Sequence, residues 1–285
     1  MGAAARRGRL LVARATGWLA WGTLLRHRNP TVKAAVALVL SLLLVLVIDP
    51  VTPTLFLAGT LLAGVALGGV SPRTYARALA PLVLVGLGFV WSNAIFAVSP
   101  DPAGVLWQWG PLRVTAPGLR FGVAIALRGL AIGAISVTFI LTTDPTDLVV
   151  SLIRHGRLPF RVGYALLAGY RFLPFFAEEY EQVRLAQRVR GLVEHGGPLP
   201  ALQAHLRSVL PLLASAVRRA TRVAVAMDSR GFAAANARTR TYYRHVPLDW
   251  RDAAFAAAAL AAAAGLLWLS AAAGWLQLWD GRFAA

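Results

Sequence analysis

The chain has no cysteine and a single lysine, Lys33. Without thiols there is no disulfide framework and no thiolate metal site. All the other basic residues are arginine, a bias that GC-rich coding accounts for. Acidic residues are scarce, 12 Asp+Glu against 29 Lys+Arg, and the formal net charge is +17. Charge of both signs together makes up only 14 % of the 285 residues, where a soluble domain carries about 25 %. That shortage excludes an ordinary water-soluble enzyme. The apolar fraction of 58 % and mean hydropathy of +0.61 exclude a disordered basic chain, because there is too much apolar surface to leave unburied. What remains is a membrane protein with its positive charge gathered on one side.

Recognisable catalytic patterns are missing too. No glycine-rich loop runs into Lys and Ser/Thr, so the P-loop route to ATP hydrolysis is excluded. No His-Glu-x-x-His, Gly-x-Ser-x-Gly or paired-carboxylate arrangement occurs. His27, His155, His195, His205 and His245 show no metal-ligand spacing. No catalytic residue, metal site or bound cofactor is therefore expected in this chain.

Long apolar runs are what the chain does have. A spanning helix needs about 20 mostly apolar residues, and five candidates stand at 34–48, 55–70, 81–98, 119–141 and 253–275. Asp49-Pro50 and Pro53 read as a tight turn between the first two. Ser99-Pro100-Asp101-Pro102, with Trp107 and Trp109, reads as a loop and an interfacial belt. The expected fold is an all-α integral membrane protein with about five transmembrane helices. Long amphipathic cytoplasmic helices lie between the fourth and fifth spans. The divisions are 1–33 (cytoplasmic or interfacial), 34–141 (four spans), 142–251 (cytoplasmic) and 252–285 (fifth span and tail).

Orientation follows from the arginines. Region 142–251 holds 16 of the 29 basic residues, and seven more precede the first span. Placing the N-terminus in the cytoplasm puts both basic blocks there and the C-terminus outside. Arg14 interrupts the first apolar stretch, so the N-terminal segment reads as surface-lying, with Trp18 and Trp21 at the interface, rather than as a cleaved signal.

Two segments of the basic region have helical periodicity. Leu202, Leu206, Val209, Leu210, Leu213, Val217, Ala220, Val223, Ala224 and Met227 recur at spacings of three and four, which is one helix face. Val162, Leu166, Gly169, Leu173, Phe176, Tyr180, Val183 and Gln187 do the same. Each predicts a helix of roughly 30 residues, about 45 Å long. Both close alike, with Ala186-Gln187-Arg188-Val189-Arg190-Gly191 and Ala226-Met227-Asp228-Ser229-Arg230-Gly231. A glycine there has a structural use, since it takes the left-handed conformation that ends a helix. An arginine in the last turn suits the dipole. The repetition at two similar helices suggests a second use: two guanidinium groups offered to a partner, with a planar fork suited to carboxylates and carbonyl-lined clefts.

With those elements in place, the chain resembles the transmembrane T component of energy-coupling factor transporters, over nearly its whole length. His27-Arg28-Asn29-Pro30-Thr31-Val32-Lys33 is similar to the approach to the family's first span. Thr142-Thr143-Asp144-Pro145-Thr146-Asp147-Leu148 is similar to the element after its fourth. Arg171-Phe172-Leu173-Pro174 with Glu178-Glu179, and Leu206-Arg207-Ser208-Val209-Leu210-Pro211-Leu212-Leu213, resemble its second and third cytoplasmic helices. The Arg-Gly endings resemble its paired Ala-Arg-Gly coupling motifs, with Val189 and Ser229 where the family most often has Ala. The resemblance implies a scaffold without chemistry of its own. It would join two cytoplasmic ATP-binding-cassette ATPases, which hold ATP and magnesium, to a small membrane S component that binds a vitamin or metal ion. Arg190, Gly191, Arg230 and Gly231, with Ala186 and Ala226, would form the ATPase-coupling sites.

Other residues carry weaker signals. Arg128 falls near mid-bilayer in the fourth span, where a charge usually faces protein or water. Asn93 and Ser136 are its candidate partners, and the S-component interface is a second possible role. Gly64/Gly68, Gly118/Gly122 and Gly129/Gly133 are small-residue pairs that permit close helix approach. Pro174 and Pro211 fall inside the cytoplasmic helices and should kink them, as static bends or as hinges. A different class of function, a membrane-anchored binder of anionic lipid or nucleic acid, would use the same arginines. Their spread around helices, without interleaved exposed aromatics, argues against nucleic acid.

Overall fold

The structure, a computed structural model, describes residues 24–96, 105–109, 112–190, 198–232, 244 and 246–276. The N-terminal segment with Trp18 and Trp21, the side chains of Trp107 and Trp109, Gly191 and the tail beyond 276 lie outside the described residues. Two compact units are present: residues 1–151 with 246–285, and residues 152–245 inserted between them.

Among the described residues, the regular structure of the first unit is helical except for one β-hairpin. Helix α1 (Pro30–Val45) starts where Asn29 accepts the Thr31 N–H and Pro30 sets the first φ, as the N-cap and N1 preferences require. Helix α2 (Val51–Ala66) follows a turn built on buried Asp49. One Asp49 oxygen accepts the Thr52 N–H at 2.6 Å and the other its hydroxyl at 2.9 Å. Helix α3 is Pro72–Phe96, strands β1 (Val105–Trp109) and β2 (Leu112–Thr115) pair antiparallel, and helix α4 is Ala116–Thr142. A short helix α5 (Pro145–Arg154) follows, starting where the Asp144 carboxylate accepts the Thr146 N–H. The last helix of this unit, Trp250–Ala272, has a capping box of Asp249 and Asp252 and is α8 below.

Five apolar helices thus stand where five were expected, but they are of two kinds. Among the described residues three are long and apolar enough to cross a membrane: α3, α4 and α8. The hairpin helices α1 and α2 have 16 residues each, about 24 Å against a hydrocarbon core of about 30 Å. Boundaries moved for local reasons. Helix α1 begins four residues before the apolar run at 34 because Asn29 and Pro30 start it there. Pro81, read as the start of the third span, lies inside α3 instead. The helix begins at Pro72, where the Ser71 hydroxyl accepts the Thr74 N–H, so Arg73 and Arg77 are helical rather than in a loop. Residues 105–115, read as part of a loop, form the β-hairpin. The aromatic bias of Val105–Trp109 is a strand signal that the Pro-rich approach masked.

Packing in this unit depends on small residues. A Cβ on Gly122 would stand 2.9 Å from the Val90 Cα, and one on Gly133 2.8 Å from a Leu82 methyl. One on Gly64 would meet the Tyr75 ring, whose hydroxyl bonds Thr138 Oγ1 at 2.7 Å. A Cβ on Gly129 would meet nothing within 4 Å. Glycine spacing alone therefore does not say which member of a pair packs.

Helices α1 and α4 also cap each other. Lys33, on the first turn of α1, is buried and donates to the Thr142 carbonyl at the end of α4, 2.8 Å away. Arg128, on α4, donates to the Val45 and Val47 carbonyls at the end of α1, both at 3.2 Å. Each cation meets carbonyls that the facing helix leaves unpaired at its C-terminus, where the helix dipole favours positive charge. Neither expected partner of Arg128 is used. Asn93 donates to the Phe89 carbonyl of its own helix at 2.9 Å, one turn back.

Candidate functional site

The inserted unit contains helix α6 (Phe160–Val189) and helix α7 (Pro198–Ser229). Pro159 precedes α6 as its N-cap. Pro174 and Pro211 lie inside these helices, and both helices run through them unbroken. Each proline removes one backbone donor without ending its helix.

The contacts between α6 and α7 run in opposite directions along the two chains. Near the end of α6, buried Gln187 accepts a hydrogen bond at 3.0 Å from the hydroxyl of buried Ser208, early in α7. Further back on α6, the Phe175 ring carries the Arg219 guanidinium 3.3 Å from its centroid. At the start of α6, Phe160 and Tyr164 take the Phe232 ring edge-on, with centroids 5.6 and 5.7 Å away. As position rises on α6 it falls on α7, so the helices form an antiparallel pair.

This places the two arginines at opposite ends. Arg190 is the C-cap of α6 and its N–H bonds the Ala186 carbonyl. Arg230 caps α7 beside the start of α6. About 40 Å of helix separates these ends, at 1.5 Å per residue. Both side chains are exposed, as are Ala186 and Ala226 one turn before them.

The α7 ending shows why the sequence has that form. Gly231 has φ +77°. Its N–H bonds the Asp228 carbonyl at 2.9 Å and the Phe232 N–H bonds the Met227 carbonyl at 3.1 Å. This is the Schellman pattern, which needs a left-handed residue after the cap. It turns Phe232 back onto α6 and leaves Arg230 at the tip. The corresponding Gly191 lies outside the described residues.

Sequence reasoning missed Phe232, Arg219 and the Gln187–Ser208 pair. A signal existed for the first, since an apolar residue directly after a Schellman glycine commonly makes a hydrophobic contact. The other two depend on the pairing of α6 with α7, which periodicity does not reveal.

The apolar stripe on α7 is largely uncovered. Leu206, Val209, Leu210, Leu213 and Val217 are all more than half exposed, and so are Leu166 and Leu173 on α6. Monomeric soluble proteins rarely leave such a continuous apolar surface, and larger patches mark protein or membrane contacts. Among the described residues no group of three or more His, Cys, Asp or Glu is placed to hold a metal ion.

Comparison with known proteins shows what the whole chain is similar to. A family model described as cobalt transport protein, CbiQ, matches residues 22–243. The energy-coupling factor transporter transmembrane protein EcfT of Exiguobacterium sibiricum is 28 % identical over 227 residues, 77 % of this chain and 85 % of that one. The proteins of the same name from Thermosediminibacter oceani and Brevibacillus brevis are 31 % identical over 208 residues and 33 % identical over 184. They cover 70 % and 60 % of this chain and 77 % and 68 % of their own.

Proposed function

This chain belongs to the cobalt transport protein (CbiQ) family, with energy-coupling factor transporter transmembrane components among its relatives, and on that premise we propose that it is the coupling subunit of such an importer. Its inserted unit docks two cytoplasmic ATPases. Its apolar helices hold a small S component that binds the transported vitamin or metal ion. The chain itself performs no chemistry.

The observation that carries this reading is the position of Arg190 and Arg230 at the two far ends of one antiparallel helix pair. Two arginines about 40 Å apart suit two separate binding grooves better than one. The exposed apolar stripe of α6 and α7 supplies contact area, and each guanidinium supplies register through charge-assisted, bidentate bonds. In this arrangement the arginines fix where each ATPase sits, and the helix pair ties their movements together.

The topology agrees with a cytoplasmic insert. Helices α3, α4 and α8 give three crossings. The α1–α2 hairpin adds two more or returns to the side it came from, so an even number of crossings, two or four, precedes the insert in either case. The N-terminus and the inserted unit then share the cytoplasmic side, as the distribution of arginine favours.

The test is co-purification from native membrane. Tagged wild-type chain is expected to retain two ATPases and a small hydrophobic protein. Arg190→Ala with Arg230→Ala should insert normally and lose most of the ATPases. Full retention and full uptake in the double variant would sink this assignment of the two arginines.

A further inference from the structure

The chain leaves the first unit after Ser151 and returns at Val246. Both junctions are tied to one side chain. Asn29 is buried. Its Oδ1 accepts the hydroxyl of fully buried Ser151 at 2.6 Å, on the departing side. Its Nδ2 donates to the Pro247 carbonyl at 3.1 Å, on the returning side. The same Oδ1 accepts the Thr31 N–H at 3.0 Å and so starts α1. The Asn29 backbone N–H donates at 3.0 Å to Oδ1 of buried Asp252, in the first turn of α8. The other Asp252 oxygen accepts the Asp249 N–H at 3.1 Å. Thr31 Oγ1 closes the cluster, 2.6 Å from Ser151 Oγ.

The chemistry calls for an amide here. A carboxamide offers an acceptor and a donor on one planar group. The Thr31 N–H fixes which atom is oxygen, and the Pro247 carbonyl fixes which is nitrogen. An aspartate would keep the acceptor half and lose the donor half.

A lever transmits displacement only if its root is stiff. Resting on the coupling function above, we propose that Asn29 is a positioning residue of energy coupling. Its amide roots both chain ends of the inserted unit on α1 and α8, so displacement of that unit reaches these helices instead of being absorbed at the junctions. Leaving a buried donor or acceptor unpaired is costly, which keeps both bonds closed under load.

The chain lacks cysteine, so pairs of spin labels can be placed cleanly. One label replaces Leu38 on α1 and the other Leu84 on α3, both exposed positions; none of the hydrogen bonds at Asn29 involves α3. The distance is read by pulsed electron resonance in the complete complex with cysteine-free ATPases, without nucleotide and with ATP plus orthovanadate. In the otherwise native chain, nucleotide shifts the distance. Asn29→Ala abolishes the shift while the ATPases remain bound, and Asn29→Asp, which keeps the Ser151 and Thr31 bonds but loses the tie to Pro247, restores only part of it. Should Asn29→Ala fail to fold, Ser151→Ala removes only the departing tie and carries the test. An unchanged shift in a folded Asn29→Ala or Ser151→Ala chain overturns the proposal, and so does a native complex whose distance ignores nucleotide. A native chain that retains no ATPases is a different failure, that of the coupling function itself.

Discussion

Both units expose apolar side chains, Leu38, Leu84 and Trp91 in the first and Leu206 and Leu210 in the second, and they differ in how many buried polar groups they tie together. In the first, six polar side chains are buried and bonded: Asn29, Lys33, Asp49, Thr52, Ser151 and Asp252, while the buried Thr143 hydroxyl has no partner. Helix surfaces that approach each other do so through glycine. In the second, leucines and valines on α6 and α7 are exposed, and among its described residues the buried polar ones are Gln187 and Ser208, which bond each other. Buried polar groups that bond across distant segments hold the internal shape of a unit. The open apolar surface of the first lies on apolar helices, three of them long enough to cross a membrane, where lipid covers it, whereas that of the second lies on charged amphipathic helices and completes its burial on something else. The first behaves as a frame and the second as a contact surface, and substitutions should separate the two roles.

The largest effect is expected in the frame. Gly122→Ala puts a methyl 2.9 Å from the Val90 Cα. Backbone cannot swing aside as a side chain can, so α3 and α4 must separate. Overpacking of this kind costs about 1–3 kcal/mol. Gly129→Ala, seven residues along the same helix, meets nothing within 4 Å and should be neutral or stabilising, because alanine favours helix over glycine by about 1 kcal/mol. Thermal unfolding in detergent distinguishes them. Equal midpoints would mean that the close approach of α3 and α4 does not hold the frame together.

That contrast also marks how far the sequence could be read. Apolar runs located all five apolar helices, because hydropathy needs no partner. Arg190 and Arg230 stood out because a helix ending is a local event, written in consecutive residues. Arg128 and Asn29 were harder. Their partners lie 81 and 83 residues away for Arg128, and as far as 223 residues for Asn29. Only the folded chain brings these together. Arg128 was conspicuous as a charge in an apolar run, yet its use as a cap for α1 depends on α1 ending beside it. Asn29 stood out only as part of the His27–Lys33 stretch that approaches the first span. The α6–α7 pairing was hidden for the same reason, since each amphipathic pattern describes one helix and is silent about its neighbour.

A middle-sized effect tests the α7 ending. Gly231 has φ +77°, and a side chain there costs about 1 kcal/mol. Gly231→Ala should weaken the Schellman bonds and loosen Phe232 from Phe160 and Tyr164. Amide exchange at Gly231 and Phe232 should accelerate, while exchange in α1 to α4 stays unchanged. Unaltered exchange at those two amides would mean that the turn is held by something other than its glycine.

The smallest stability effect should fall on the open stripe, and it separates the roles most sharply. Leu210 is 74 % exposed on α7. Replacing an exposed side chain away from special features usually changes stability by no more than about 0.5 kcal/mol. Leu210→Ser should therefore leave thermal unfolding of the isolated chain nearly untouched. If the stripe docks the proposed ATPases, its effect appears in that complex as reduced retention of them, because only there would its apolar surface be removed from water. The reverse result, a destabilised chain with full retention, would mean that the leucine packs within the protein, and the division between frame and contact surface would fail on α7 itself.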